Sequence, residues 1–307
     1  MRRNLCRRAL CAFLSLVLLE VPSLDTLYEQ GLKGINWMAS ADKGVQPQFT
    51  EVPILMYHHL VEEPDDPAIG QDTLWVGQFR RQLELLRKEG YHTVSIEQLI
   101  AFATRGEPLP DKPVCLTFDD GYSSTYELAF PLLKEFEMKA TVFVIGVSVG
   151  KDTYKDTGLP MTPHFTWEQA REMADSGLVS LQSHTYDMHQ WCAFETVDGG
   201  KCLRPNILRQ PWETEEEYAQ ALLADLERSR SELQEATGQA VTALSYPGGS
   251  YDARSEKLLQ SYGVQCTLTI HPGKARLLPR VPESLYALNR FYVKPSTTDA
   301  ELLQWVG

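Results

Sequence analysis

The chain has no C-x-x-C pair, no excess of positive charge, no internal repeat and no uninterrupted apolar run long enough to span a bilayer, which takes about 20 residues. Each absence removes a class of function. Without C-x-x-C, a zinc-thiolate finger and a thioredoxin-type redox motif are unsupported. Six cysteines in 307 residues are too few for a disulfide scaffold. A net charge of −12 with no basic patch repels phosphate backbones, so nucleic acid is not expected as a partner. The lack of a repeat of 20–50 residues argues against solenoids and propellers. Hydrophobic residues at 43% and charged residues at 23% are ordinary for a globular chain that buries one large core.

The N-terminus differs from the rest. Arg2, Arg3, Arg7 and Arg8 precede the apolar run from Ala9 to Leu19. A basic segment before a short apolar core reads as a secretory signal peptide over residues 1–24, or as an uncleaved signal anchor. Either places the remainder outside the cytosol, secreted or extracytoplasmic. Only an uncleaved segment would attach it to a membrane. Residues 25–50 are weakly patterned and read as a linker, leaving 51–307 as one domain. Cys192 and Cys202 bracket a short polar stretch that a disulfide could staple in an oxidising compartment.

From Val52 onward, short apolar runs alternate with helical spacing. Strands are expected at Val52–Tyr57, His92–Ile96, Val114–Phe118, Ala140–Val144, Leu178–Gln182, Val241–Tyr246, Val264–Ile270 and Tyr286–Val293. Helices are expected over 76–89, 96–104, 124–136, 167–176, 214–236, 255–261 and 299–305. Continuous apolar strands between helices predict an α/β fold with a parallel sheet, most simply a single (β/α) barrel.

Chemically capable residues cluster just after strand ends, where parallel α/β folds place their sites. Asp119-Asp120-Gly121 follows one strand. Two carboxylates brought to one cleft by a turn can divide labour between metal ligand and proton acceptor, although an Asp-Asp-Gly turn can equally cap a helix. His184 and His189 follow another strand. Their spacing is five, not the i, i+4 of a helix face, so a loop has to bring the second imidazole back. Read alone, they could be surface histidines. Read with Asp120, they make an Asp-His-His set with open positions, as in catalytic metal sites. Zinc is the first expectation for such a set, with Co, Ni or Fe also compatible. Tyr246-Pro247-Gly248-Gly249-Ser250-Tyr251 lets backbone N–H groups approach a ligand, or is a plain turn.

Together, Thr117 to Tyr122, the His184/His189 pair and the Tyr246 to Tyr251 turn resemble the first three motifs of the polysaccharide deacetylases, the NodB-homology or carbohydrate esterase 4 family. The resemblance implies a distorted (β/α) barrel of about seven units, one divalent metal and removal of N-acetyl groups from an acetylated amino-sugar polysaccharide. It implies Asp119 as catalytic base, Asp120, His184 and His189 as metal ligands, and Tyr246, Pro247, Gly248 and Tyr251 as the substrate-side turn, with the Gly248 amide at the oxyanion. The family also uses a histidine acid. Leu268-Thr269-Ile270-His271 spells its usual string, but a further strand follows. Leu55-Met56-Tyr57-His58 instead resembles circularly permuted enzymes that act on poly-N-acetylglucosamine, which favours His58. One departure stands out: Ser245 occupies the place of the family's arginine, and Arg290 is the candidate substitute. Two other classes remain open at this point: a catalytically degenerate carbohydrate-binding protein, and a non-haem iron oxygenase on the same ligand triad.

Overall fold

The computed structural model describes residues 49–191, 195 and 203–307. The N-terminal signal segment, the expected linker as far as Gln48, and Cys192 and Cys202 with their expected disulfide lie outside the described residues.

The first strand is divided by Pro53, which has no N–H to give to a ladder. Thr50–Val52 (β1) precedes it and Ile54–Tyr57 (β2) follows it. His59–Val61 (β3) and Thr73–Trp75 (β4) then pair in parallel, a small sheet that no apolar run announces. Next come Val76–Lys88 (α1), His92–Thr93 (β5), Ile96–Arg105 (α2) and Pro113–Phe118 (β6). Thr125–Ala129 winds as a wider π-type turn into Phe130–Phe136 (α3). Then follow Ala140–Val144 (β7), Trp167–Asp175 (α4), Val179–Ser183 (β8), Glu215–Thr237 (α5) and Ala243–Ser245 (β9). Ala253–Ser261 (α6), Cys266–Leu268 (β10), Ala275–Leu277 (β11), Phe291–Tyr292 (β12) and Asp299–Val306 (α7) complete the chain. Among the described residues, no helix is long and apolar enough to cross a membrane.

Helix starts are set by side chains that satisfy otherwise orphaned backbone donors. Ser95 with Gln98, Thr166 with Gln169 and Thr214 with Glu217 form reciprocal capping boxes at α2, α4 and α5. The main sheet is parallel and runs β10-β9-β8-β7-β6-β2-β12, with β5 pairing the start of β6. The last strand is shorter than the apolar text predicts, because the chain ahead of it is irregular. Even so, Leu288 bridges to Leu268 while Phe291 pairs with Leu55, so this one segment touches both edges of the curled sheet. The expected (β/α) barrel of about seven units is present. β1 pairs antiparallel with β11, so Thr50 already belongs to the folded domain.

Strand periodicity decides which side chains enter the barrel. Ile54, Cys115, Phe143, Ala243, Cys266 and Leu268 pack together on the inside. Leu55, Tyr57, Leu116, Phe118, Val142, Val144 and Leu181 pack outward with the helices. Counting on by two along the inner face from Ile54, Cys115, Ser180 and Ala243 reaches His58, Asp119, His184 and Ser245. One parity rule therefore sends all four to the same end of the barrel.

Phe118 shows how firmly that end is backed. It is fully buried, stacked on Tyr57 at 5.3 Å and edge-on to Phe79 at 5.5 Å. Phe118→Ala is expected to cost about 3–5 kcal/mol of stability through lost burial and a residual cavity. Urea unfolding of the two proteins measures it.

Candidate active site

Asp119 ends the inward row of β6, and its N–H donates to the Tyr57 carbonyl at 3.0 Å. On a regular strand Asp120 would point the other way. Its backbone instead takes a left-handed conformation, φ 72°, followed by Gly121 at φ 88°. A non-glycine residue there is uncommon, though aspartate tolerates it better than most. The result is that Asp120 folds back beside His184 and His189.

The three residues share one small volume. One ligand atom from each lies within 4.8 Å of the others. His184 Nε2 is 3.4 Å and His189 Nε2 3.8 Å from Asp120 Oδ1. His184 Nδ1 faces the Ser245 carbonyl at 2.8 Å. A carbonyl only accepts, so Nδ1 carries the proton. Burial pushes the His184 pKa down to about 4, against the opposing pull of nearby charges, so the ring is neutral at physiological pH. Its Nε2 lone pair then confronts Asp120 Oδ1, a buried oxygen with no hydrogen-bond partner. Two acceptors face each other with no donor between them. That arrangement fits a cation, and the donor set of one carboxylate and two imidazoles suits zinc and its neighbours. Burial alone would raise the Asp120 carboxyl. Electrostatic attraction from His58 first and His189 second outweighs that and holds it low.

Asp119 has no part in that cluster. Arg290 Nη1 and Nη2 donate to its two oxygens at 2.8 and 2.7 Å, and the Ser245 hydroxyl donates to Oδ2 at 3.0 Å. Arg290 is itself fully buried and is anchored on the Thr269 carbonyl at 2.8 Å. Burial would raise the Asp119 carboxyl. The guanidinium's charge and hydrogen bonds overcome that and hold it well below the usual carboxylate range. A guanidinium thus reaches Asp119 from the segment leading into β12 and not from the third motif. Ser245, which stands in its place, holds Asp119 by its hydroxyl and His184 by its carbonyl.

His58 projects beside both aspartates and lowers both carboxyls. Its ring lies 5.0 Å from Tyr292. His271 is exposed and is not among the groups that perturb either aspartate. His59 faces the Ser124 hydroxyl at 2.8 Å and packs on Tyr122 at 5.2 Å, so it supports the cleft from behind. His164 also packs on Tyr122, at 4.9 Å.

The turn expected to meet substrate needs correcting. Tyr246 is fully buried and stacks on Tyr251 at 4.6 Å, and Pro247 is buried too. The Tyr246 side chain has no exposed surface to offer a glycan and Pro247 has little, so these two brace the turn. Gly248 is exposed, with φ 59°, and Tyr251 is half-buried. Sequence reading gave no role to the cavity of about 430 Å³ beside the cluster, lined by Asp120, Tyr122, Tyr154, Met161, His189 and Trp191. Trp191 is half exposed and stacks nearly parallel to His189 at 6.1 Å.

Arg290→Met leaves Asp119 as a buried, unpaired carboxylate, and a loss of about 3–5 kcal/mol is expected. Because the paired carboxyl titrates below its unfolded value, the pair's contribution is complete at neutral pH and disappears only as pH falls through that depressed value. The stability gap between wild type and variant, followed by urea unfolding, should therefore narrow as the variant's carboxyl, raised by burial, takes a proton, and close fully only in strong acid.

The chain is similar to known proteins over most of its length. Residues 106–267 match the family model for polysaccharide deacetylase. That stretch holds Asp119, Asp120, His184, His189 and the Gly248 turn, and neither His58 nor Arg290. The Bacillus subtilis protein YxkH is 30% identical over 245 residues, covering 80% of this chain and 72% of that one. The poly-beta-1,6-N-acetyl-D-glucosamine N-deacetylase of Escherichia coli is 29% identical over 250 residues, covering 76% of this chain but only 36% of that longer protein. The solved structure of IcaB from Ammonifex degensii superposes with a TM-score of 0.65 at 25% identity, covering 83% of this chain and 97% of that one. On the family match, the relatives and the shared fold, this chain belongs to the polysaccharide deacetylase family.

Proposed function

We propose that the protein is a metal-dependent hydrolase that removes N-acetyl groups from an extracellular polysaccharide of N-acetylated amino sugars. The observation that carries this reading is the convergence of Asp120, His184 and His189, with the independently held carboxylate of Asp119 beside them. The similarity to enzymes named for poly-beta-1,6-N-acetyl-D-glucosamine favours that polymer class as substrate. The basic-then-apolar N-terminus supports action outside the cytosol.

Asp120, His184 and His189 would hold the ion, zinc by first preference. When bound, it supplies Lewis-acid polarisation of the amide carbonyl and acidifies the attacking water. Asp119 is the proton acceptor. A carboxylate offers about four acceptor positions, and Arg290 and Ser245 occupy three, two of them on Oδ2. One position on Oδ1 remains for a water proton. The guanidinium keeps Asp119 ionised at every physiological pH, so it is always ready to accept. The exposed Gly248 amide stabilises the developing oxyanion. His58 gives a proton to the departing amine, so the C–N bond breaks to leave acetate and a free amino sugar. Trp191 offers an aromatic face to a sugar ring at the cleft entrance.

Acetate release from poly-beta-1,6-N-acetylglucosamine oligomers should disappear on chelation and return with zinc. Glycan binding without acetate release would establish the degenerate alternative instead. Asp119→Asn is expected to lower turnover by about 10²–10⁴-fold, and wild-type turnover in that variant would refute the base assignment. His58→Ala should lower turnover comparably. His271→Ala should leave it essentially unchanged, and the reverse order would move the acid to His271.

A further inference from the structure

The two histidines of the cluster are delivered very differently. His184 continues the inward row of β8 and is locked by its bond to the Ser245 carbonyl. His189 sits at the end of a loop, and nothing about a spacing of five residues brings it back by regular geometry. Thr185 begins that loop with φ 71°. Positive φ at a β-branched residue is a strained conformation that persists only where the surroundings over-determine it.

The segment after β7 holds the Thr185 and Tyr186 carbonyls through the Gly146 and Val147 amides, at 3.1 and 2.9 Å, and one face of α5 holds the other side of the backbone, its N–H groups. Asp225 Oδ1 accepts the Tyr186 N–H at 2.8 Å, and Oδ2 accepts the Asp187 N–H at 2.7 Å. Arg228, three positions on, lies over the Tyr186 ring at 3.8 Å. Ser229, four positions on, shares a hydrogen bond of 2.8 Å with Ser183. Residues at i, i+3 and i+4 line one helix face, and here that face grips Ser183, just before His184, and Tyr186 and Asp187, between the two histidines. Consecutive amides held on a single carboxylate set both the position and the direction of the backbone. Arg228 and Ser229 hold side chains; Asp225 holds the path itself. Lys155 adds a bond to the Asp187 side chain at 2.8 Å.

We propose that Asp225 is a positioning residue for the cation site, keeping His189 at ligating distance from His184 and Asp120 by fixing the Tyr186 and Asp187 amides. The inference rests on the metal-binding reading above. Asp225 lies in α5, outside the sequence motifs, and acts on the ion only through the loop. Its loss should therefore weaken metal affinity and leave substrate recognition alone. Asparagine at this position has one acceptor oxygen and would present its own NH₂ to the other amide, so it breaks half the clamp without changing side-chain size.

The test is calorimetric titration of metal-free full-length protein with zinc chloride, for wild type and Asp225→Asn, with thermal melting of both in EDTA. Wild type should bind one zinc per chain. Asp225→Asn should bind about 10–100-fold more weakly, as outer-sphere substitutions at metal sites do, with its melting temperature in EDTA unchanged. Excess zinc should restore its kcat, with KM for the glycan at the wild-type value throughout. Zinc affinity in Asp225→Asn within about twofold of wild type, well inside that range, would overturn the proposal. So would a variant that fails to fold or melts markedly lower in EDTA, since that assigns Asp225 to the fold. A wild-type protein that takes up no zinc, cobalt or nickel would instead overturn the metal-binding reading on which the proposal stands.

Discussion

A carboxylate oxygen and an imidazole nitrogen, both acceptors, face each other 3.4 Å apart in a buried cleft. This is the constraint around which the barrel mouth is built. Unrelieved, it is unfavourable, since neither group has a donor to offer and water is largely excluded. The surrounding protein makes the confrontation unavoidable. The Ser245 carbonyl fixes the proton of His184 on Nδ1, and burial keeps the ring neutral. His58 and His189 hold the Asp120 carboxyl low. A fold that spends several interactions on holding two acceptors together is preorganised for a cation.

The same mouth has to keep a second carboxylate apart from that centre, and Arg290 does so. Asp119 and Asp120 are adjacent in the chain, and a shared ion could recruit both. The bidentate guanidinium, with Ser245, ties Asp119 into its own network. What this requires is a buried positive charge at a given place, not an arginine at a given position in the chain. Here it arrives on the segment leading into β12, where the family pattern has it at the end of β9, the place of Ser245. The matched family stretch ends before Arg290 and begins after His58, so both groups reach the site from strands outside it. β2 and β12 are neighbours in the sheet. Groups at opposite ends of the chain are therefore spatially adjacent, and the site is completed from both.

Most of the architecture was legible because its signals are local. Five-residue apolar strands such as Ala140–Val144 and capped helices such as Trp167–Asp175 depend on neighbours in the chain. The candidate site was legible for a related reason: strand ends deliver the Asp119-Asp120 pair and His184, and the motifs name them. What escaped was non-local. β11 exists only because β1 pairs with it. β3 and β4 lack an apolar run, since only part of each is buried. Tyr246 and Pro247 looked like substrate contacts from their motif, but whether a side chain points to solvent depends on what packs over it, in this case Tyr251. Asp225 sits in a helix that reads as ordinary amphipathic text, and its partners are backbone amides 38 and 39 residues away, which no residue pattern reveals.

The backbone records the demands of the chemistry as strain at two non-glycine positions. A strand presents alternate side chains to opposite faces, so two consecutive carboxylates can enter one cleft only if the chain turns sharply between them. Glycine would make that turn freely but carries no carboxylate. Asp120 therefore adopts a left-handed conformation itself, and Gly121 after it makes the remainder of the turn without further strain. At the other ligand-bearing strand the order is reversed. His184 remains regular, and Thr185 takes the left-handed turn so that the chain can come back with His189. In each case the unfavourable dihedral lies at, or next to, a proposed ligand, and the compensating hydrogen bonds come from elements distant in sequence. For Asp120 the carbonyl is held by the Ile145 amide at 3.2 Å, and for Thr185 by the Gly146 amide at 3.1 Å. Those two amides are consecutive and lie just beyond the end of β7, so one short segment without a ligand of its own supports both turns that carry the ligands.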